Sequence, residues 1–296
     1  QADGSIAERL VNFDKDYCQI VNLCIHQNRD INKGHEYNVQ KELLPIIGLG
    51  NKKGIIKERI AELLEVPSSD ILDTELFLYN RTNGTIWGDD DEFFSCTKID
   101  DLQCAFSALK AFITASDSAS SKLQVVALFD NEEVGSRTRQ GADSDFLSQT
   151  LSRICYALGL DYDSQCAIKA NSMLLSADNG HAMHPNYPEK CDVTNKPVIN
   201  GGILIKYAGN QKYTTDGYSG YYLKNIITNA DVPYQVFFNN SSVTGGSTLG
   251  NIEVAHVSIP AVDIGVAQLA MHSPYETAGT MDTYNLEQGM KAFFQA

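Results

Sequence analysis

The sequence predicts an α/β fold, a mostly parallel central sheet flanked by helices, and two observations lead to this prediction. From Phe93 onward, segments with a helical hydrophobic period alternate with short apolar segments typical of strands. The apolar residues of 123–129 form a nearly continuous run, which is typical of a strand buried on both faces. We therefore expect helices on both sides of the sheet.

The elements are predicted in chain order from hydrophobic period and turn residues. In the first part of the chain, Ile56, Ile60 and Leu63 recur at the spacing of an amphipathic helix. An acidic turn at 88–92 precedes the alternating pattern, so we expect two domains, 1–88 and 89–296. In the second domain the predicted helices are 102–115, 145–158, 218–228 and one from about 285, and the predicted strands are 123–129, 172–177, 202–207, 234–239 and 252–258.

Composition and charge argue against several classes of protein. The 296 residues include 37 acidic and 23 basic side chains, a net charge of −14, so nucleic acids and anionic membranes would be repelled. The longest apolar stretches are far shorter than the roughly 20 residues of a membrane-spanning helix. Seven cysteines without a Cys-x-x-Cys pair, and no visible secretory signal, predict a soluble protein of the reducing cytoplasm.

Acidic and imidazole side chains recur where the predicted strands end. Ligands bind at the carboxyl ends of strands in open α/β sheets, so side chains placed there are expected to converge. Carboxylates and imidazoles are ligands of zinc and similar metals. Each residue alone has an ordinary explanation, as a solvated surface group, a helix cap or a packed histidine. The residues so placed are Asp100, Glu132, Glu133, Asp178, His181 and His272.

The tandem pair Glu132-Glu133 suits hydrolytic chemistry. Consecutive side chains diverge, so one carboxylate can bind a metal while the other accepts a proton from water. A glycosidase or amidase that uses the two glutamates as an acid and base is a weaker hypothesis, because neighbouring glutamates rarely reach the separation of about 5 Å or more that a sugar requires. Sensitivity to chelators separates these two hypotheses.

Four ordered motifs resemble those of the aspartyl aminopeptidase family of dinuclear zinc exopeptidases. They are KIDDL at 98–102, DNEEVGS at 130–136, SADNGHAMHPNY at 176–187 and AMHS at 270–273. The stretch NLCIHQNR at 22–29 is similar to the end of the family's smaller, β-rich inserted domain, which makes subunit contacts. The resemblance therefore implies a zinc-exopeptidase fold for 89–296, part of the β-rich domain in 1–88, and a homo-oligomer.

The resemblance also implies a reaction and its cofactors. The family removes acidic residues, Asp or Glu, from the N-termini of peptides with two divalent metal ions, for which Zn²⁺ is expected and Co²⁺ or Mn²⁺ are alternatives. By this resemblance Asp100 bridges both metals, Glu133 and His272 complete one site, and Asp178 belongs to the other. Peptides with an acidic N-terminus are the expected partners, besides other copies of the chain.

The remaining implied roles concern catalysis and substrate. Glu132 would be the general base, and His181 would polarise the scissile carbonyl or hold its oxyanion. Lys206 and Tyr213 would contact the substrate. His26 would reach the active site of a neighbouring subunit.

The sequence departs from the family pattern at one metal ligand. The family has a further histidine in a His-Thr-Asp stretch near its N-terminus, and no stretch here matches it. In addition, Asp101 replaces the usual Asn, and Asn179-Gly180 varies the motif around Asp178. We therefore expect one firmly held metal at Asp100, Glu133 and His272, and a weakly held second metal near Asp178. A truncated or catalytically inactive homologue that acts as a structural or binding subunit is the alternative.

Overall fold

A computed structural model describes residues 4–50, 52–115, 122–243 and 245–296. By its internal contacts the chain divides into two compact units, Gln1–Arg81 and Thr82–Ala296. The division falls a few residues before the acidic turn at which the sequence predicts the boundary.

The first unit contains short helices. They are the 3₁₀ turns Ile31–Lys33 and Ser68–Asp70 and the helices α1 (Val39–Glu42) and α2 (Ile55–Leu64). Helix α2 confirms the predicted amphipathic helix and buries Ile60 and Ala61. Within the described residues of this unit, β structure is limited to one bridge between Gln19 and Ile46. A β-rich character is therefore not seen here, since extended segments become strands only beside a hydrogen-bonded neighbour.

The second unit contains the remaining regular elements. Its helices are α3 (Ile99–Ala115), α4 (Phe146–Ala157), α5 (Tyr162–Ala170), α6 (Gly217–Asn229), α7 (Leu249–Val257) and α8 (Thr280–Gln295), with a 3₁₀ turn at Pro188–Lys190. Its strands are β1 (Thr85–Trp87), β2 (Phe93–Cys96), β3 (Leu174–Ala177), β4 (Gly180–His181), β5 (Ile203–Lys206), β6 (Tyr234–Phe237), β7 (Ala261–Gly265), β8 (Ala267–Leu269) and β9 (Glu276–Gly279). The predicted α3, α4, α6, β3, β5 and β6 are confirmed to within a few residues.

The strands form two sheets. The order is β3-β7-β5-β6 in one sheet and β1-β2-β9-β8-β4 in the other. In the first sheet β3 is parallel to β7 and β5 is parallel to β6, whereas β5 and β7 are antiparallel. In the second sheet only β4 and β8 are parallel among the described pairs. The α/β prediction is confirmed, and the sheets are more mixed than the sequence predicts.

The core lies on both faces of the four-stranded sheet. On one face, Val262 and Ile264 of β7 belong to a buried cluster that also contains residues of α3, α6 and α8. Side chains alternate along a strand, so Asp263 points to the opposite face, where Gly250 of α7 lies close to it. The prediction of helices on both faces is therefore confirmed. None of the helices in the described residues is long and apolar enough to cross a membrane.

The predicted strand at 123–129 is wrong. The segment belongs to no strand, and Leu123, Val125 and Leu128 are exposed. A run of apolar residues favours burial, but a strand also needs backbone hydrogen bonds to a neighbouring strand, which the run itself does not provide. The segment leads into the turn that carries Glu132 and Glu133, as the sequence predicts.

The predicted strand at 252–258 is also wrong, because residues 252–257 lie in helix α7 and Ser258 caps its end. Gly250, Glu253 and Val257 are its buried residues, and their spacing of three and four is that of one helix face. The β-branched side chains of this segment favour a strand, but tertiary packing overrides so weak a preference. Helix α5 and the strands β1, β2, β4, β7, β8 and β9 were not predicted, and α8 begins earlier than predicted.

Glu253 makes stability depend on pH. Its side chain is 2% exposed, and neither carboxylate oxygen has a hydrogen-bond partner among the described residues. Burial raises its pKa from 4.5 to about 7, although His256 acts in the opposite direction. An acid whose pKa is raised in the folded state loses stability as pH rises from its unfolded pKa to its folded one.

We expect Glu253→Gln to remove this loss. The free energy of unfolding of the wild type should fall by about 1 to 3 kcal/mol between pH 5 and pH 8 relative to that of the variant. Urea unfolding at both pH values measures the difference. Glu189→Gln, at an exposed position, is the matched control and should follow the wild type. Parallel pH profiles for wild type and Glu253→Gln would contradict the prediction.

Candidate metal centre

The first residues of α3 carry two carboxylates. Asp100 has extended backbone angles (φ −83°, ψ 112°), so regular helical geometry begins only after Asp101. The Asp100 side chain is 6% exposed. Its backbone N–H donates to Oε2 of Glu276 at 3.0 Å. The helix start therefore holds Asp100 at a buried position beside strand β9, which Glu276 begins.

Asp100, Glu133 and His272 form one group of candidate ligands. The ligand atoms of these three side chains all lie within 4.8 Å of one another. Nε2 of His272 lies 3.1 Å from Oδ2 of Asp100 and 3.3 Å from Oε2 of Glu133. The structure thus brings together the three residues at which the sequence predicts a firmly held metal.

Asp100 also belongs to a second group, with Asp101 and Asp178, whose oxygen atoms lie within 4.8 Å of one another. Oδ1 of Asp100 and Oδ1 of Asp101 are buried and have no hydrogen-bond partner among the described residues. Burial, followed by the charges of Asp178 and Glu133, raises the pKa of Asp100 to about 8. Orphaned oxygens beside unfavourable negative charges fit divalent cations, which would supply both a partner and a countercharge.

The two groups offer different donor sets. The first has two carboxylates and an imidazole, which suit zinc, whereas the second has oxygen donors alone. Among the described residues, the second group contains no histidine. Asp101 occupies the third position there, and the sequence analysis did not identify it as a candidate.

Glu276 is a further residue that the sequence analysis missed. It is buried, and its two carboxylate oxygens accept hydrogen bonds from the backbone N–H groups of Asp100 and His272, at 3.0 and 2.6 Å. One side chain therefore links two candidate ligands that are distant in sequence. Its position four residues after His272 was the available signal, but a carboxylate at that spacing is common.

Glu132 and His181 have perturbed pKa values. Burial, then the charges of Asp178 and Glu133, raises the pKa of the half-buried Glu132. Partial desolvation, then the positive charges of Lys206 and His272, lowers the pKa of His181 on β4. A carboxylate with a raised pKa is a better proton acceptor and donor near neutral pH, and a neutral imidazole can donate a hydrogen bond.

Lys206 and Tyr213 lie next to this centre but are buried. Lys206 is 1% exposed, and its Nζ donates to the backbone oxygen of Asn179 at 2.8 Å and lies 4.0 Å from Oδ2 of Asp178. The ammonium also lies 5.5 Å from the centroid of the Tyr213 ring. Burial lowers the pKa of Lys206, but the charges of Asp178, Tyr213 and Asp263 outweigh this effect, so the pKa is raised.

His26 lies in the first unit, in an exposed turn. The other predicted site residues lie in the second unit. The contact of His26 with the active site of another subunit stays a prediction.

Comparison with known proteins decides the family. A family model described as aminopeptidase I zinc metalloprotease (M18) matches residues 1–294. The chain belongs to the M18 family. A "Probable M18 family aminopeptidase 2" of Clostridium novyi is 44% identical over 289 residues, which are 96% of this chain and 66% of that protein. The protein with the same description from Clostridium acetobutylicum is 41% identical over 290 residues, 97% of this chain and 66% of that protein.

Solved structures of M18 proteins share the fold. A chain in the cryo-electron microscopy structure of the Ape4 and Nbr1 complex superposes with a TM-score of 0.93 at 31% identity, over 100% of this chain and 61% of that one. The mApe1 structure from Chaetomium thermophilum superposes with a TM-score of 0.81 at 28% identity, over 99% of this chain and 68% of that one. This M18 chain thus spans about two thirds of the length of its relatives.

Asp100→Asn tests whether Asp100 both destabilises the metal-free protein and binds metal. Because the pKa of Asp100 is raised to about 8, folding near neutral pH requires this carboxyl to take up a proton, which costs stability. Asparagine removes that cost and should raise the melting temperature of the metal-free protein by about 2 to 4 °C for each kcal/mol gained. Wild type should gain about 2.7 kcal/mol at a Zn²⁺ concentration of 100 times Kd, and the variant should gain far less. Differential scanning calorimetry with and without Zn²⁺ measures both effects, with the exposed Asp89→Asn as control. An unchanged Zn²⁺ shift in Asp100→Asn would exclude Asp100 as a ligand.

Proposed function

We propose that this chain carries the catalytic centre of a metal-dependent aminopeptidase that removes acidic residues from the N-termini of peptides. The observation that carries the proposal is the pair of candidate ligand groups that share Asp100. The sharing of one carboxylate supports two divalent ions, with zinc proposed for both. Membership of the M18 zinc metalloproteases supports the same cofactor.

The residues around the ligand groups have the properties that hydrolysis requires. Bound divalent cations supply polarisation of the attacking water and of the scissile carbonyl. Glu132, with its raised pKa, accepts the proton from water and returns it to the leaving amine. His181, kept neutral by its lowered pKa, donates a hydrogen bond to the developing oxyanion. Glu132 and His181 both lie in the second unit.

Two alternative functions are less well supported. A glycosidase would use Glu132 and Glu133 as its acid and base, but Glu133 pairs with His272 as a candidate ligand. A purely structural homologue would have no physical reason to retain buried carboxylates without partners, because such groups cost stability. Both observations favour a metal-dependent enzyme.

Glu132→Gln and Glu133→Gln form a matched pair that tests the roles of the two glutamates. In the full-length protein, Glu132→Gln should keep its metal content and lose on the order of a hundredfold or more in kcat. Glu133→Gln should lose metal affinity, because it removes a ligand. Elemental analysis after dialysis and hydrolysis of an Asp-peptide measure the two properties. Loss of metal in Glu132→Gln alone would reverse the assignment, and turnover that survives exhaustive chelation would exclude the mechanism.

Selectivity for acidic residues is proposed to come from Lys206, with Tyr213 beside it. Lys206 is a buried cation among carboxylates, and its positive charge favours an anionic substrate group held nearby. Tyr213 lies beneath the ammonium, and its hydroxyl accepts a hydrogen bond from Asn239 at 2.9 Å, which fixes the ring.

Lys206→Met should reduce the preference for acidic N-terminal residues. We expect the ratio of kcat/KM for Asp-peptides to that for Ala-peptides to fall about tenfold, the size of one charge-assisted interaction. Lys212→Met is the control, since Lys212 lies in the same stretch and bonds the backbone oxygen of Gly245 instead. An equal loss on both peptides would assign Lys206 a role without selectivity.

A homo-oligomer in a reducing compartment such as the cytoplasm is the proposed state of the protein. The first unit exposes large apolar side chains, which are typical of interaction surfaces, among them Leu23, Leu44, Leu72, Phe77 and Leu78. His26 lies in the same unit and is proposed to act across that interface. All seven cysteines are free thiols, which supports the compartment. Light scattering on the full-length protein should give a multiple of the chain mass, and a monomer would exclude the role of His26.

A further inference from the structure

Two neighbouring segments of chain connect the four-stranded sheet to the five-stranded sheet. Strand β3 leads into β4 through Asp178 and Asn179, and β7 leads into β8 through Val266. Because β3 is parallel to β7 and β4 is parallel to β8, both segments cross in the same direction. They pack so closely that a Cβ at Gly265 would overlap the backbone oxygen of Asp178. The candidate ligand Asp178 therefore lies within one of the two crossings.

The Asn179 side chain connects these crossings to helix α3. It is 3% exposed, and its Oδ1 accepts hydrogen bonds from the N–H of Val266 and the thiol of Cys104, both at 3.3 Å. Its Nδ2 donates to Oε1 of Gln268 at 2.7 Å and Oε1 of Gln103 at 3.1 Å, with a longer contact to the backbone oxygen of Ile99 at 3.4 Å. The N–H of Val266 can only donate, so the orientation of the amide is determined.

The partners of Asn179 belong to the elements that carry the candidate ligands. Ile99, Gln103 and Cys104 lie in the first two turns of α3, whose first turn carries Asp100. Gln268 lies in β8, and the chain reaches His272 a few residues later. The buried amide of Asn179 therefore links the segments of chain on which Asp100, Asp178 and His272 lie.

The Asn179 backbone adds a link to the buried cation. Nζ of Lys206 donates to the backbone oxygen of Asn179 and lies 4.0 Å from Oδ2 of Asp178. The crossing is thus held from β5 as well as from α3 and β8. Metal affinity depends on the orientation of ligands by the residues behind them, and loss of such a residue typically costs 10- to 100-fold.

We propose that Asn179 is a positioning residue of the candidate metal centre, whose side-chain amide holds Asp100 and Asp178 at the spacing that a shared pair of divalent ions requires. The inference rests on the proposed function, since it presumes that these carboxylates bind metal.

Asn179→Leu tests the proposal, with Co²⁺ as the probe in the full-length protein. We expect Co²⁺ affinity to fall 10- to 100-fold and the visible absorption of bound Co²⁺ to change, because the ligand spacing changes. Gln235→Leu is the matched control. Its amide likewise both accepts and donates a hydrogen bond, to the backbone of Val198 at 2.9 Å, but it lies on β6, at the opposite edge of the sheet from β3. The control should keep the affinity and spectrum of the wild type even if it melts at a lower temperature.

Gln103→Leu keeps the test decisive if Asn179→Leu does not fold. It removes one acceptor of the amide and should weaken Co²⁺ binding by a smaller factor, with a spectral change in the same direction. A folded Asn179→Leu or Gln103→Leu with the affinity and spectrum of the wild type would overturn the inference. Failure of the wild type itself to bind Co²⁺ would instead overturn the proposed function.

Discussion

Repulsion among buried carboxylates is the constraint on which the candidate centre depends. Asp100, Asp101 and Asp178 bring their oxygens within 4.8 Å of one another, and burial raises the pKa of Asp100 to about 8. The ammonium of Lys206 lies 4.0 Å from Asp178 and offsets part of this negative charge. Without a bound cation, such a cluster lowers the free energy of unfolding. Divalent ions that bind to the carboxylates raise it again.

The rest of the second unit keeps these charges together. A buried apolar cluster from β5, β7, α3, α6 and α8 anchors α3, the helix whose first turn carries Asp100. Glu276 ties the backbone of Asp100 to that of His272, and Asn179 ties α3 to both crossings between the sheets. Groups that repel one another stay close only when the surrounding packing and hydrogen bonds leave them little freedom to separate.

The sequence predicted that Asp100, Glu133, His272 and Asp178 lie close together, and the structure places their side chains in two groups that share Asp100. Asp178 directly follows strand β3, as expected for ligands in α/β sheets, whereas Glu133 follows the segment 123–129, which joins no strand ladder. Glu276 and Asn179 escaped prediction because their importance lies in hydrogen bonds to residues 176 and 76 positions away. The local sequence around Glu276 or Asn179 does not indicate a hydrogen-bond partner so distant in the chain.

The sequence by itself determined the α/β class and the helices and strands with a strong hydrophobic period, since these depend on local patterns of side chains. Helix α3 and strand β5 are examples. Only the tertiary structure decided that 249–257 is a helix and that 123–129 joins no ladder, because packing against β3 and β7 and a neighbouring backbone settle those outcomes. It also decided that Lys206 is buried, since the length of its side chain carries the ammonium from the end of β5 to the backbone of Asn179.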